Sequence, residues 1–175
     1  PMSAAIKAEG IGNSNWRRLV PDPAIAKVED ALAAQVAAWP ALSTYTVQTD
    51  ASDDSAVEFG TDKLIRIYTV AYAVDQADEQ GQSIHTATIE FEAVNATQSV
   101  GTISRANQTA IAHIIGAIAS DRTVGGRLQD IQEVDVASAG ANGKDTDAAS
   151  LQTTVQFFTP RDDWFTILGM GGQLF

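Results

Sequence analysis

The sequence predicts an α+β domain in which two helices pack on one largely antiparallel β-sheet, with an extended N-terminal arm and a C-terminal tail. Three features carry this expectation. Apolar residues recur at spacings of three and four in residues 23–38 and 102–120. Strand-like stretches with alternating or two-sided apolar character lie at 63–74, 84–93 and 151–159. The segments between them are polar or glycine-bearing, so helices and strands are neighbours in one layered domain.

Residues 1–21 have no clean period and contain Gly10, Gly12, Asn13, Ser14 and Asn15 ahead of the cluster Trp16, Arg17 and Arg18, which reads as an arm. Asp22 followed by Pro23 offers an N-cap acceptor and a φ-locked first helical residue. Ile25, Val28, Leu32, Val36 and Trp39 then form one stripe, and Pro40 stops the helix. A short strand is expected over 43–49. Residues 50–62 form an acidic loop with Asp53, Asp54 and Glu58, which lacks the central Gly and terminal Glu of a calcium loop.

In residues 63–74, Leu64, Tyr68, Val70 and Tyr72 are assigned to one face and Ile65, Ile67 and Ala71 to the other, which predicts a central strand covered on both sides. A polar turn over 75–83 leads into Ala87, Ile89, Phe91 and Ala93, which alternate with Thr86, Thr88, Glu90 and Glu92 as in a half-buried antiparallel strand. Ile103, Ala106, Ala110, Ile111, Ile114 and Ile118 stripe the second helix. It ends at Asp121-Arg122-Thr123-Val124-Gly125-Gly126-Arg127, where the glycine pair allows positive φ. Strands over 128–136 and 151–159 are expected to pair as a hairpin, joined by a polar loop over 138–150.

Few chemistries survive a search of the chain. There are no cysteines, which excludes disulfides and thiolate chemistry. The two histidines, His85 and His113, stand 28 positions apart and belong to no ligand pair or serine triad, and both read as structural residues. Gly125 and Gly126 end a helix rather than open one, unlike a phosphate cradle. Glu90 and Glu92 read as strand charges that discourage edge pairing. No catalytic, cofactor or metal site is expected.

Eleven basic against 22 acidic residues give a formal charge of −11, which opposes an extended phosphate-binding surface. No run approaches a bilayer span and no signal-peptide core is visible, so a soluble product of the cytoplasm is expected. The segment after Pro160 is apolar but broken by glycine. Two fates are open to it: burial of Trp164, Phe165, Ile167, Leu168, Leu174 and Phe175 at an interface, worth about 25 cal/mol per Å² before ordering costs, or closure over its own sheet. With Trp16, Arg17 and Arg18 in the arm, these six are the candidate contacts to other subunits or partners.

The helix over 23–39, the sheet segments, the passage from Asp121 to Ile131 through the glycine pair and the closing Thr/Val/Phe strand resemble the tail-terminator, or tail-completion, proteins of tailed phages. The likeness covers residues 22–160 as a single domain, with 1–21 and 161–175 outside it. It implies a subunit of a homo-hexameric ring, located in the virion at the head-proximal end of the tail. Such a ring caps the tail-tube protein, stops its polymerisation and meets a head-completion or stopper protein. DNA passes through its lumen without specific binding, and no membrane or reaction is involved. The rival readings are another connector ring or a tail-tube subunit, and a small ligand-binding α+β domain with Tyr68, Tyr72 and His85 around a pocket.

Overall fold

The computed structural model describes residues 22–49, 63–75, 81–95, 100–139 and 148–175, with side chains at 100–104 and 133–139 left aside. The N-terminal arm with Trp16, Arg17 and Arg18, the acidic loop over 50–62 and most of the loop after the fourth strand lie outside the described residues. In chain order come α1 (Ala24–Ala37), a 3-10 turn (Pro40–Leu42), β1 (Thr46–Gln48), β2 (Lys63–Asp75), β3 (Gln82–Asn95), α2 (Val100–Ser120), β4 (Asp130–Ala139) and β5 (Ala148–Pro160). The α+β architecture read from the sequence is the one observed.

The strands form one five-stranded sheet in the order β1-β2-β3-β5-β4. All pairs are antiparallel except β1 with β2, which run parallel over Thr46–Gln48 and Leu64–Arg66. The expected β4-β5 hairpin forms, with Ile131 opposite Val155. β5 then inserts beside β3, placing Phe157 against His85 and Leu151 against Phe91.

β2, flanked by β1 over Leu64–Arg66 and by β3, is therefore an interior strand as expected, and the middle strand of the sheet is β3. Its burial alternates along its length, with His85, Ala87, Ile89, Phe91 and Ala93 inaccessible and the residues between them half-buried. β5 repeats the pattern through Leu151, Thr153, Val155 and Phe157. These residues face Val28, Leu32 and Val36 of α1 and Ala110, Ile111, Ile114, Ala117 and Ile118 of α2 in one continuous core. The outer face carries Arg66 paired with Glu92 at 3.6 Å and Glu90 accepting from the Gln152 amide at 3.0 Å.

The face assignment in β2 needs correction. The register slips between Thr69 and Ala71, so Val70 is an extra residue and the strand's alternation inverts there. Tyr72, opposite Ala87, joins Ile65 and Ile67 on the helix side, while Ala71 moves to the outer side with Tyr68. Glu29 of α1 accepts both the N–H (2.9 Å) and the hydroxyl (2.6 Å) of Thr69 just before the bulge. A regular period of two cannot anticipate the inserted residue.

Smaller differences have local causes. The α1 N-cap is Pro23, extended at ψ 153°, and no side chain caps the helix. Trp39 is held extended by the following Pro40, and the 3-10 turn that this proline begins shortens the strand expected over 43–49 to Thr46–Gln48. β4 and β5 run into the segment expected to be loop, with Ser138 opposite Ala149, because small residues fit a paired strand despite their weak β preference.

The far end of α2 is closed by its neighbour. The Gln35 amide of α1 donates to the carbonyls of Ala117 (2.7 Å) and Asp121 (2.9 Å), adding to the bonds that these acceptors receive from the Ser120 hydroxyl (2.6 Å) and the Val124 N–H (3.4 Å). The Asp121 carboxylate in turn accepts from the Thr123 N–H and hydroxyl and from the Gly125 N–H. Gly125 and Gly126 take φ of +68° and +83°, the conformation for which glycine was expected there. Gln35→Ala is expected to lower unfolding free energy by about 1 kcal/mol in urea denaturation, since two part-buried carbonyls each lose one of their two donors.

Candidate interaction surface

The last fifteen residues take the second of their two open fates and close over the domain. The Leu168 N–H donates to the Phe158 carbonyl at 2.8 Å, which extends the β5 end by one bridge. Ile167 and Phe175 exchange both backbone bonds at 3.1 Å, and Leu168 bridges Leu174, so residues 167–175 form a tight hairpin-like turn. Gly171 and Gly172, both near φ +80°, make its bend. The Met170 N–H reaches the Gly126 carbonyl at 2.9 Å and locks this turn to the loop after α2.

The same segment completes α1. The Ala24 N–H, orphaned by the absent side-chain cap, donates to the Trp164 carbonyl at 2.8 Å. Lys27 Nζ donates to the carbonyls of Phe165 (2.8 Å) and Phe175 (3.3 Å). The Asp163 carboxylate accepts from the N–H groups of Phe165 (2.9 Å) and Thr166 (3.2 Å), and these bonds, with the Thr166 hydroxyl foremost, hold its pKa below the usual carboxylate value. Every one of these partners is distant in sequence from α1 or sits on its own tight turn, so no local motif marks them.

The six C-terminal residues predicted as contacts therefore separate. Ile167 is fully buried in the domain's own core, and Leu168 is half-buried beside Phe158. Phe175 packs on that core with the Arg127 guanidinium 4.4 Å from its ring centre. Trp164, Phe165 and Leu174 stay at the surface, 49%, 39% and 69% exposed, and Met170 joins them. The result is an exposed apolar surface with Lys27 bound to the Phe165 and Phe175 carbonyls, Arg127 over the Phe175 ring and Asp162 exposed two residues before Trp164. An open groove of about 360 Å³ lies next to it, lined by Lys27, Asp30, Ala31, Arg127 and Phe175.

Beneath Trp164 sits His85, inaccessible and satisfied on both ring nitrogens. Its Nε2 lies 2.8 Å from the Thr159 hydroxyl, which itself donates to the Pro160 carbonyl at 3.1 Å. Thr159 is then the acceptor for Nε2–H, which leaves Nδ1 to accept from the Tyr72 hydroxyl at 2.5 Å. The ring stacks on Phe157 at 4.8 Å and meets the edge of Trp164 at 5.7 Å. Burial pushes the His85 pKa down and the Tyr72 pKa up, both toward the neutral pair that this geometry needs. Tyr68, on the outer face beside Glu90 and Glu92, is pushed up to about 12 by burial and then by those carboxylates. The bulge thus separates Tyr68 from Tyr72 and His85, and the three do not line one pocket.

No protein-family model matches this chain, and no curated protein matches it in sequence. No helix among the described residues is long and apolar enough to cross a membrane.

Two outcomes follow from this geometry. A methyl group at Gly169 would lie 2.3 Å from the Phe175 ring and 3.0 Å from the Gly126 carbonyl. Gly169→Ala should therefore displace Phe175, cost about 1–3 kcal/mol in thermal or denaturant unfolding, and quicken proteolysis after residue 165. For His85 the folded pKa lies below the unfolded value of about 6.5, so unfolded chains bind more protons as pH falls through that value. Its stabilising contribution is complete above about pH 6.5 and declines below it. The unfolding midpoint should drop between about pH 7 and pH 5 in the unsubstituted chain, and the drop should be smaller in His85→Gln.

Proposed function

We propose that the chain is a structural subunit of a phage tail, a terminator that forms a ring at the head-proximal end of the tail tube, halts tube growth and offers the surface to which the head joins. Support comes first from the element order: helix, three strands, helix, two strands on one mixed sheet is the order on which the resemblance to tail-terminator proteins rests. The work of such a subunit lies in fitting against copies of itself, the tube protein and a head-completion or stopper protein. Closed rings need a heterologous interface, in which two different patches of each subunit meet.

A surface suited to one half of such an interface is present. Trp164 and Phe165, and Met170 and Leu174 on the turn that follows, are exposed on a segment that is itself fixed to the domain by backbone bonds, so their contacts would cost little ordering entropy. A charge of −11 favours a lumen that repels phosphate and lets DNA slide through without adhesion.

Light scattering across a concentration series, followed by negative-stain imaging of any large species, tests this reading. Closed rings of about six subunits are expected, with purified tail tubes added as the nucleating surface if the free chain stays small. Open-ended cylinders would identify a tube subunit instead. A chain that remains monomeric with tubes present would overturn the proposal.

A further inference from the structure

We propose that the chain's own N-terminal arm docks, through Trp16, Arg17 and Arg18, on the Trp164–Phe165 end of the C-terminal surface. The point at which the arm enters the fold fixes its neighbourhood. It joins at Asp22, and two residues further on the Ala24 N–H is bonded to the Trp164 carbonyl at 2.8 Å. Lys27, one turn along the same helix, holds the Phe165 carbonyl. The arm therefore starts beside the two exposed aromatic side chains, and the six steps from Trp16 to Asp22 span at most about 22 Å when extended.

The chemistry of the arm matches that of Trp164, Phe165 and the exposed aspartates near them. Trp164 and Phe165 present aromatic area that the domain leaves uncovered, and Trp16 is the large aromatic side chain of the arm. Asp22 and Asp162 are exposed next to them and complement Arg17 and Arg18. Arg127, over the Phe175 ring, would repel the same arginines, whereas the Lys27 ammonium is already bound to the Phe165 and Phe175 carbonyls. Tethering through so short a segment gives an effective concentration on the order of millimolar, so a weak contact suffices within one subunit. Docking in this form is intramolecular and does not depend on ring formation.

Fluorinated tryptophan incorporated into the full chain gives one fluorine resonance for each of its three tryptophans, assigned by Trp→Phe replacement in turn. Trp39, which packs over Gly116 of α2, reports on the integrity of the fold. The solvent-isotope shift of Trp16 between water and heavy water is expected to be smaller than that of the free amino acid and unchanged on dilution. Phe165→Ser and Asp162→Lys, which leave the backbone bonds of the tail in place, should each raise it toward the free value while the Trp39 resonance stays fixed. A Trp16 shift already equal to the free value in the unsubstituted chain would overturn docking. So would protection indifferent to both substitutions, and protection lost on dilution would assign the surface to a second copy.

Discussion

Everything in this domain depends on the alternation of β3 between β2 and β5. A strand with period two has one residue in each pair available for the core, and β3 spends that residue on His85, Ala87, Ile89, Phe91 and Ala93 without interruption. A slip of one position would exchange this row for threonines and glutamates. Both helices can therefore lie on one side only, and the outer side is left to Arg66, Glu90, Glu92 and Gln152, which pair among themselves. The position of His85 in the inward row also decides its character, since a histidine there must be neutral and doubly bonded.

The C-terminal turn is a second consequence of the same strand pairing. β5 ends beside the start of β3, so Phe158 offers its carbonyl just where the chain must turn toward α1. From that bridge the segment can bury Ile167, stack Phe175 beneath Arg127 and still present Trp164, Phe165, Met170 and Leu174 outward. Backbone bonds and the packing of Ile167 and Phe175 hold the turn, which leaves the Met170 and Leu174 side chains exposed.

Much of the fold was legible in the sequence because its elements are long and regular. The stripes of α1 and α2, the alternation of β3 and β5, and the glycine pair after α2 each declare themselves within a few residues. What escaped is nonlocal. The bulge at Val70 moves Tyr72 from one face to the other, yet no residue type marks it. The cap on α1 comes from a backbone carbonyl at Trp164, which any residue could supply. The apolar character of residues 164–175 was visible, but not its division into a buried Ile167, a half-buried Leu168 and Phe175 and an exposed remainder, because that division follows from the bridge to Phe158. Trp16, Arg17 and Arg18 lie outside the described residues.

The bond between Ala24 and Trp164 joins the first helix to a segment 140 residues later. A ribosome adding about 5–20 residues per second needs roughly 7–28 s to cover that distance. Through that interval α1 exists without the acceptor for its first N–H, and β3 waits for β5, its second neighbour. The nascent chain thus carries an open edge on β3 and an unfinished helix until residues 148–168 have been added, and closure of both falls to that one stretch of chain.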